Sequence, residues 1–130
     1  MTDTSPDETS KRALVVDDEA LIRWSVSETL AAMGMEVQQA GDAVGALEAI
    51  ANSAVPFDVV VLDLRLPDVD DLSLLGKVRG LLPSAAVILM TAFGTPEIVA
   101  GAQALGVRGV LSKPFELAAL SRLVTESGRS

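Results

Sequence analysis

Four places along the 130 residues carry side chains able to do chemistry together: Asp17-Asp18-Glu19, Asp63, Thr91 and Lys113. Each follows a short apolar run, at 13–16, 58–62, 86–90 and 108–111. Brought within a few ångströms, the carboxylates of Asp17, Asp18 and Asp63 repel unless a cation joins them. The chain has no His and no Cys, so that cation is expected to be hard and held by oxygen, as Mg²⁺ is. Mg²⁺ typically takes one or two carboxylates, several waters and a phosphate oxygen. Lys113 brings a second positive charge and Thr91 a hydroxyl donor. A carboxylate, a hard cation, an ammonium and a hydroxyl around one point suit the acceptance of a phosphoryl group. That transfer needs an in-line nucleophile and neutralised oxygens, and little else. Singly, each residue is ordinary: an Asp after a strand commonly caps a helix, and Lys-Pro commonly marks a turn. Their joint placement carries the reading.

The rest of the composition removes competing chemistries. Without His or Cys there is no Ser-His-Asp or Cys-His nucleophile, no His or Cys zinc site and no disulfide. Lys and Arg total 10 against 18 Asp and Glu, a net charge of −8. That balance disfavours nucleic acid, which is held by neutralising phosphates. The longest apolar stretch, 85–93, is far short of the ~20 residues of a membrane helix, and the polar, acidic 1–10 is no signal peptide. A soluble cytoplasmic domain without nucleic-acid or membrane partners is expected. Hydrophobic residues make up 49% and aromatics only 3%, so the core must be aliphatic.

The chain divides into an acidic leader at 1–10, expected to be disordered, a domain over 11–125, and a tail or linker start at 126–130. Within the domain, β-branched runs alternate with helical periods. Strands are expected at 13–16, 35–39, 58–62, 86–90 and 108–111. Helices are expected at 20–33, stopped by Gly34; at 42–52, capped by Asp42; at 71–82, closed by Pro83; at 95–105, with Thr95 as cap and Pro96 in the first turn; and at 115–125. Five β-α units in strict alternation specify an α/β domain. The expected form is a flavodoxin-like, doubly wound, five-stranded parallel sheet of order 2-1-3-4-5, with five helices on both faces. Such sheets bind ligands at the carboxyl ends of their strands, where all four candidate positions fall.

The motifs Val-Val-Asp-Asp-Glu (15–19), Val-Leu-Asp-Leu-Arg-Leu-Pro-Asp (61–68), Leu-Met-Thr-Ala-Phe-Gly (89–94) and Ser-Lys-Pro-Phe (112–115) occur in this order. With them the chain resembles a response-regulator receiver domain of two-component signalling, across nearly all of 11–125. It is most similar to receivers that precede transcriptional-activator modules. The resemblance implies that Asp63 is the phosphoacceptor, taking its phosphoryl group from the histidine of a sensor kinase or phosphotransfer protein. It implies that Asp18, Asp63 and the backbone carbonyl of Arg65 bind Mg²⁺ directly and Asp17 through water. Lys113 would pair with Asp63 and then with the phosphoryl oxygens, and Thr91 would move toward that group. Pro67 would shape the loop after Asp63, and Pro114 would follow Lys113 through a cis bond. Glu19 reads as a helix-start residue, and Trp24 as partly exposed packing.

Two positions depart from the family pattern. Val110 stands where an aromatic usually rotates inward, and Val has one stiff torsion and no ring. Asp71 stands where Gly is common, and Asp tolerates unusual backbone conformations better than most residues. Arg65 and Phe93, two residues beyond Asp63 and Thr91, are expected to lengthen the life of a phosphoryl group by screening it from water. Output would pass by protein contact or dimerisation through the face of the fourth helix, fifth strand and fifth helix, including Val99, Arg108 and Leu117. Two other readings compete with this one. An Asp-nucleophile, Mg²⁺-dependent phosphatase would carry a second Asp where Arg65 stands, so the chain is not read as an enzyme. A degenerate receiver that binds partners without phosphorylation is favoured by Val110 and opposed by the full set of acidic, hydroxyl and lysine residues.

Overall fold

The computed structural model describes residues 11–129, with side-chain surroundings through Thr125. The expected leader lies outside the described residues. Five strands alternate with five helices: β1 (Arg12–Val16), α1 (Ala20–Ala32), β2 (Glu36–Ala40), α2 (Ala43–Asn52), β3 (Val59–Asp63), α3 (Ser73–Leu81), β4 (Ala86–Thr91), α4 (Pro96–Ala104), β5 (Gly109–Ser112) and α5 (Leu117–Arg129). All pairings are parallel, in the order β2-β1-β3-β4-β5. The α/β, doubly wound reading of the sequence therefore describes the molecule.

Successive side chains of a strand point to opposite faces, and the central strands are apolar in both directions. Leu14, Val16, Val60, Leu62 and Leu89 pack with α2, α3 and α4, through residues such as Ala46, Leu75 and Ala102. Ala13, Val15, Val61, Ile88 and Met90 pack with α1 and α5, through Val26, Leu30, Leu120 and Val124. Full burial of a Val, Leu or Ile side chain stabilises by roughly 1.5–3 kcal/mol. That aliphatic core fixes the register in which the strand ends align. In that register Asp63 pairs with Met90, and Thr91 with Ser112.

Several boundaries follow sequence signals. Asp42 accepts from the Gly45 N–H at 2.7 Å, and Thr95 from the Ile98 N–H at 3.2 Å. Gly34 and Gly106 take positive φ just past α1 and α4, as the left-handed helix stop requires. Other boundaries move. α3 begins at Ser73 rather than Asp71 because the Asp71 carboxylate accepts the Ser73 N–H at 2.9 Å, a local turn that competes with helix. No residue other than glycine has positive φ among the described residues, so Asp71 needs no unusual conformation. The tail expected at 126–130 is helical through Arg129. Gly128 costs that helix only about 1 kcal/mol relative to Ala, which is not enough to stop it.

Candidate functional site

The site lies at the carboxyl ends of β1, β3, β4 and β5. Asp17 leaves β1 fully buried, with its amide donating to the Ala40 carbonyl at 3.1 Å. Its Oδ1 accepts the Glu19 N–H at 2.8 Å, turning the chain into α1. Asp63 ends β3, and Thr91 ends β4; both are buried. Carboxylate oxygens of Asp17, Asp18 and Asp63 lie within 4.8 Å of one another. Asp18 is the exposed member of the three.

Lys113 enters from the end of β5, with the cis Lys113-Pro114 bond behind it. Its Nζ donates to Asp17 Oδ2 at 2.8 Å, Glu19 Oε1 at 3.0 Å and Asp63 Oδ2 at 3.1 Å. One ammonium thus serves three carboxylates, with Asp18 alongside. Burial raises the Asp63 pKa above the ordinary carboxylate value, the Asp17 charge raises it further, and Lys113 opposes both. Burial alone would depress the Lys113 ammonium, but its bonds to Asp17, Glu19 and Asp63 outweigh this and hold it above the ordinary lysine value. Negative charge therefore exceeds what Lys113 neutralises. The donor set is all oxygen, clustered and partly desolvated, which fits a small hard cation such as Mg²⁺.

The flanking residues order this rim. The Arg65 N–H faces Asp63 Oδ1 at 3.3 Å, and the Phe93 N–H donates to Thr91 Oγ1 at 3.1 Å. The Arg65 guanidinium lies over the Phe93 ring, 5.0 Å from its centre. The two expected lifetime residues thus meet across the loops that follow β3 and β4. Phe93 is largely exposed. Val110 is half-buried against the core and offers no ring near Thr91.

Three side chains make contacts that no local sequence pattern announces. Glu19 starts α1 as expected, yet its side chain makes no cap bond and reaches Lys113 instead. Arg23 donates through Nη1 to the Asp17 carbonyl at 2.6 Å and through Nε to Gln39 at 3.2 Å. Asp68 takes the first two amides of α2. Its charge does not join the acidic cluster, and neither Asp70 nor Asp71 belongs to it. Val99 stands by Gly94, Arg108 opens onto the amino end of the sheet, and Leu117 borders an apolar groove of about 300 Å³ with Leu21, Ile22, Lys113 and Phe115. Trp24 is more than half exposed, consistent with partly exposed packing.

An acidic, lysine-braced site at the carboxyl edge of a 2-1-3-4-5 sheet defines a CheY-like receiver. The chain belongs to the response regulator receiver domain family, whose model matches residues 13–125. It is 36% identical over 113 residues to the response regulator protein FleR of Pseudomonas aeruginosa, covering 87% of this chain and 24% of that protein. It is 36% identical over 115 residues to the DNA-binding transcriptional regulator NtrC of Proteus hauseri, covering 85% and 24%. The chain thus spans about a quarter of the length of these relatives, and it resembles the receivers of such regulators. A CheY-like receiver domain protein from Methanospirillum hungatei superposes with a TM-score of 0.83 at 30% identity, covering 91% of this chain and 93% of that one. Among the described residues no helix is long and apolar enough to cross a membrane.

Proposed function

We propose that this chain is a phosphorylatable signalling receiver in which Asp63 accepts a phosphoryl group from a phosphohistidine of a sensor kinase or phosphotransfer protein. The observation that carries it is the buried Asp63 carboxylate, 3.1 Å from Lys113 Nζ and within 4.8 Å of the Asp17 and Asp18 carboxylates. The donor imidazole comes from outside these 130 residues, which contain no His. A partner surface seated over the apolar groove beside Lys113 brings its imidazole to Asp63. The reading places the exchange in the cytoplasm.

In the transfer an Asp63 oxygen attacks phosphorus in line, the P–N bond breaks, and the imidazole leaves with its electron pair and takes a proton. Asp18, Asp63 and the Arg65 carbonyl would hold Mg²⁺ directly and Asp17 through water, and the ion supplies neutralisation of the phosphoryl charge. Lys113 stays protonated and moves its hydrogen bond from the Asp63 carboxylate to a phosphoryl oxygen. The Thr91 hydroxyl turns to donate to another. That turn takes Oγ1 away from the Phe93 N–H and frees the exposed segment 92–95, so the signal leaves through this loop without a rotating ring at Val110. The Arg65–Phe93 pair slows attack by water. The chain acts as a switch and not as a turnover enzyme.

Phosphorylation with radiolabelled acetyl phosphate, or trapping with beryllofluoride, tests the reading in the presence of Mg²⁺. Wild type takes one label and Asp63→Asn takes none. An unlabelled wild type, or an equally labelled variant, would overturn it. A phosphorylation-independent protein-binding module is the reading left standing if wild type takes no label, and Val110 favours it.

A further inference from the structure

The loop that follows β3 is fastened to a helix that has no part in the site. Asp68 Oδ1 accepts the Ala43 N–H at 2.9 Å, and Oδ2 accepts the Val44 N–H at 3.1 Å. These are the first two amides of α2, donors that a helix cannot satisfy internally. Asp42 covers the next two, with its side chain on Gly45 at 2.7 Å and its carbonyl on Ala46 at 3.0 Å. The first turn of α2 has no acidic residue of its own. The negative charge that the positive end of a helix favours is therefore supplied both by the N-cap Asp42 and by Asp68, 25 residues away. Gly45 makes room for this arrangement, since a Cβ there would lie 2.9 Å from Asp42 Oδ1.

On the other side, Asp68 sits in a closed turn. The Leu66 N–H donates to the Val69 carbonyl at 2.8 Å, and the Val69 N–H to the Leu66 carbonyl at 3.3 Å. Leu66 is buried in the core, and the Leu64 N–H is tied to the Met90 carbonyl at 2.9 Å. Arg65 lies between these two anchors. Its carbonyl has the freedom of one residue between a strand end and a turn, and the tip of that turn is held by α2.

We propose that Asp68 is a positioning residue: its bidentate clamp on α2 fixes the β3–α3 turn and so presets the Arg65 carbonyl for the cation. This rests on the receiver reading for what the carbonyl does, but not for the coupling of turn to helix. An acceptor fixed before binding loses no freedom on binding, and groups that orient metal ligands are typically worth at least tenfold in metal affinity.

The test is amide hydrogen exchange by NMR together with Mg²⁺ titration of wild type, Asp68→Ala, Asp68→Asn and Asp42→Ala. In Asp68→Ala, the Ala43, Val44, Leu66 and Val69 amides exchange faster together, and the Mg²⁺ Kd rises about tenfold. Asp68→Asn, which keeps one carbonyl acceptor, falls between. Asp42→Ala uncaps the same helix, exposes Gly45 and leaves Leu66, Val69 and the Mg²⁺ Kd unchanged. Faster exchange confined to Ala43 and Val44, with Leu66 and Val69 as in wild type, would overturn the clamp. A wild type with no saturable Mg²⁺ response overturns the receiver reading instead, and the exchange of Leu66 and Val69 still decides the clamp.

Discussion

At the carboxyl end of the sheet one ammonium is shared by three carboxylates, whereas at the amino end two guanidiniums have the polar groups around them matched. Arg12 donates to the Ser53 hydroxyl and, at 2.7 Å, to the Val55 carbonyl; it lies 3.6 Å from Glu36 and covers the Phe57 ring at 4.7 Å. Its amide donates to Asp58 at 2.9 Å. Arg79 ties the end of α4 to the start of β4, through the Leu105 carbonyl at 3.0 Å and the Ala85 carbonyl at 3.1 Å. The amino end uses its charges to close the fold. The carboxyl end holds surplus negative charge that the fold does not neutralise, and that surplus can be used on a cation and a phosphoryl group. Substitutions at the two ends should therefore differ in sign.

Lys113→Met should have the largest effect and is the exception that defines the rule. It removes the ammonium and leaves the buried Asp17 and Asp63 carboxylates facing each other, which costs about 3 kcal/mol. Added Mg²⁺ should recover part of that loss. Because the folded Lys113 pKa is raised, its stabilisation is complete below the ordinary lysine value of about 10.4 and is lost only as pH rises through the folded value. Urea melts should show the same deficit at neutral pH and at about pH 9.5, still below that ordinary value. A deficit already shrinking there would contradict the raised pKa.

Arg79→Ala comes next, at about 2 kcal/mol, because two carbonyls lose a charged donor. Here Mg²⁺ should recover nothing, and acetyl-phosphate labelling should match wild type. A labelling defect would mean that the two ends are not independent.

Asp63→Asn should have a smaller effect of opposite sign, a rise of a few degrees in melting temperature at neutral pH. The sign follows from the raised pKa. The folded state binds this proton more tightly than the unfolded chain, so the stability it brings in acid is lost as pH rises through the folded value. Removing the charge relieves that loss. The advantage of the variant should vanish on acidification below the ordinary carboxylate value of about 3.9. A variant less stable than wild type at neutral pH would show that Asp63 closes the fold, as Arg12 does.

The same contrast explains what the sequence could tell. The strands were legible because apolar runs are local, and the caps at Asp42 and Thr95 because they act within three residues. The convergence of Asp17, Asp18 and Asp63 followed from strand order alone. Contacts made by long side chains across the chain leave no period to read. Glu19 reaches Lys113 94 residues away, and Asp68 reaches α2 25 residues back. Both are carboxylates a few residues past a strand end; only geometry separates one that joins the lysine from one that caps a helix.

The Arg65–Phe93 stack should give the smallest effect, and it asks whether the acidic end also shields what it accepts. An exposed cation–π contact is worth about 0.5–1 kcal/mol, so the stack can change the lifetime of a phosphoryl group only modestly. Arg65→Ala and Phe93→Ala should each speed decay of the phosphorylated protein about two- to fivefold. Either change removes the same contact, so the double variant should decay no faster than the quicker single one. Effects that multiply would mean that each side chain blocks water separately, and equal decay in all four proteins would remove the shield. Because each residue also bonds through its backbone beside Asp63 or Thr91, and an Ala keeps that backbone N–H, these variants isolate the side-chain stack from the loops that carry it.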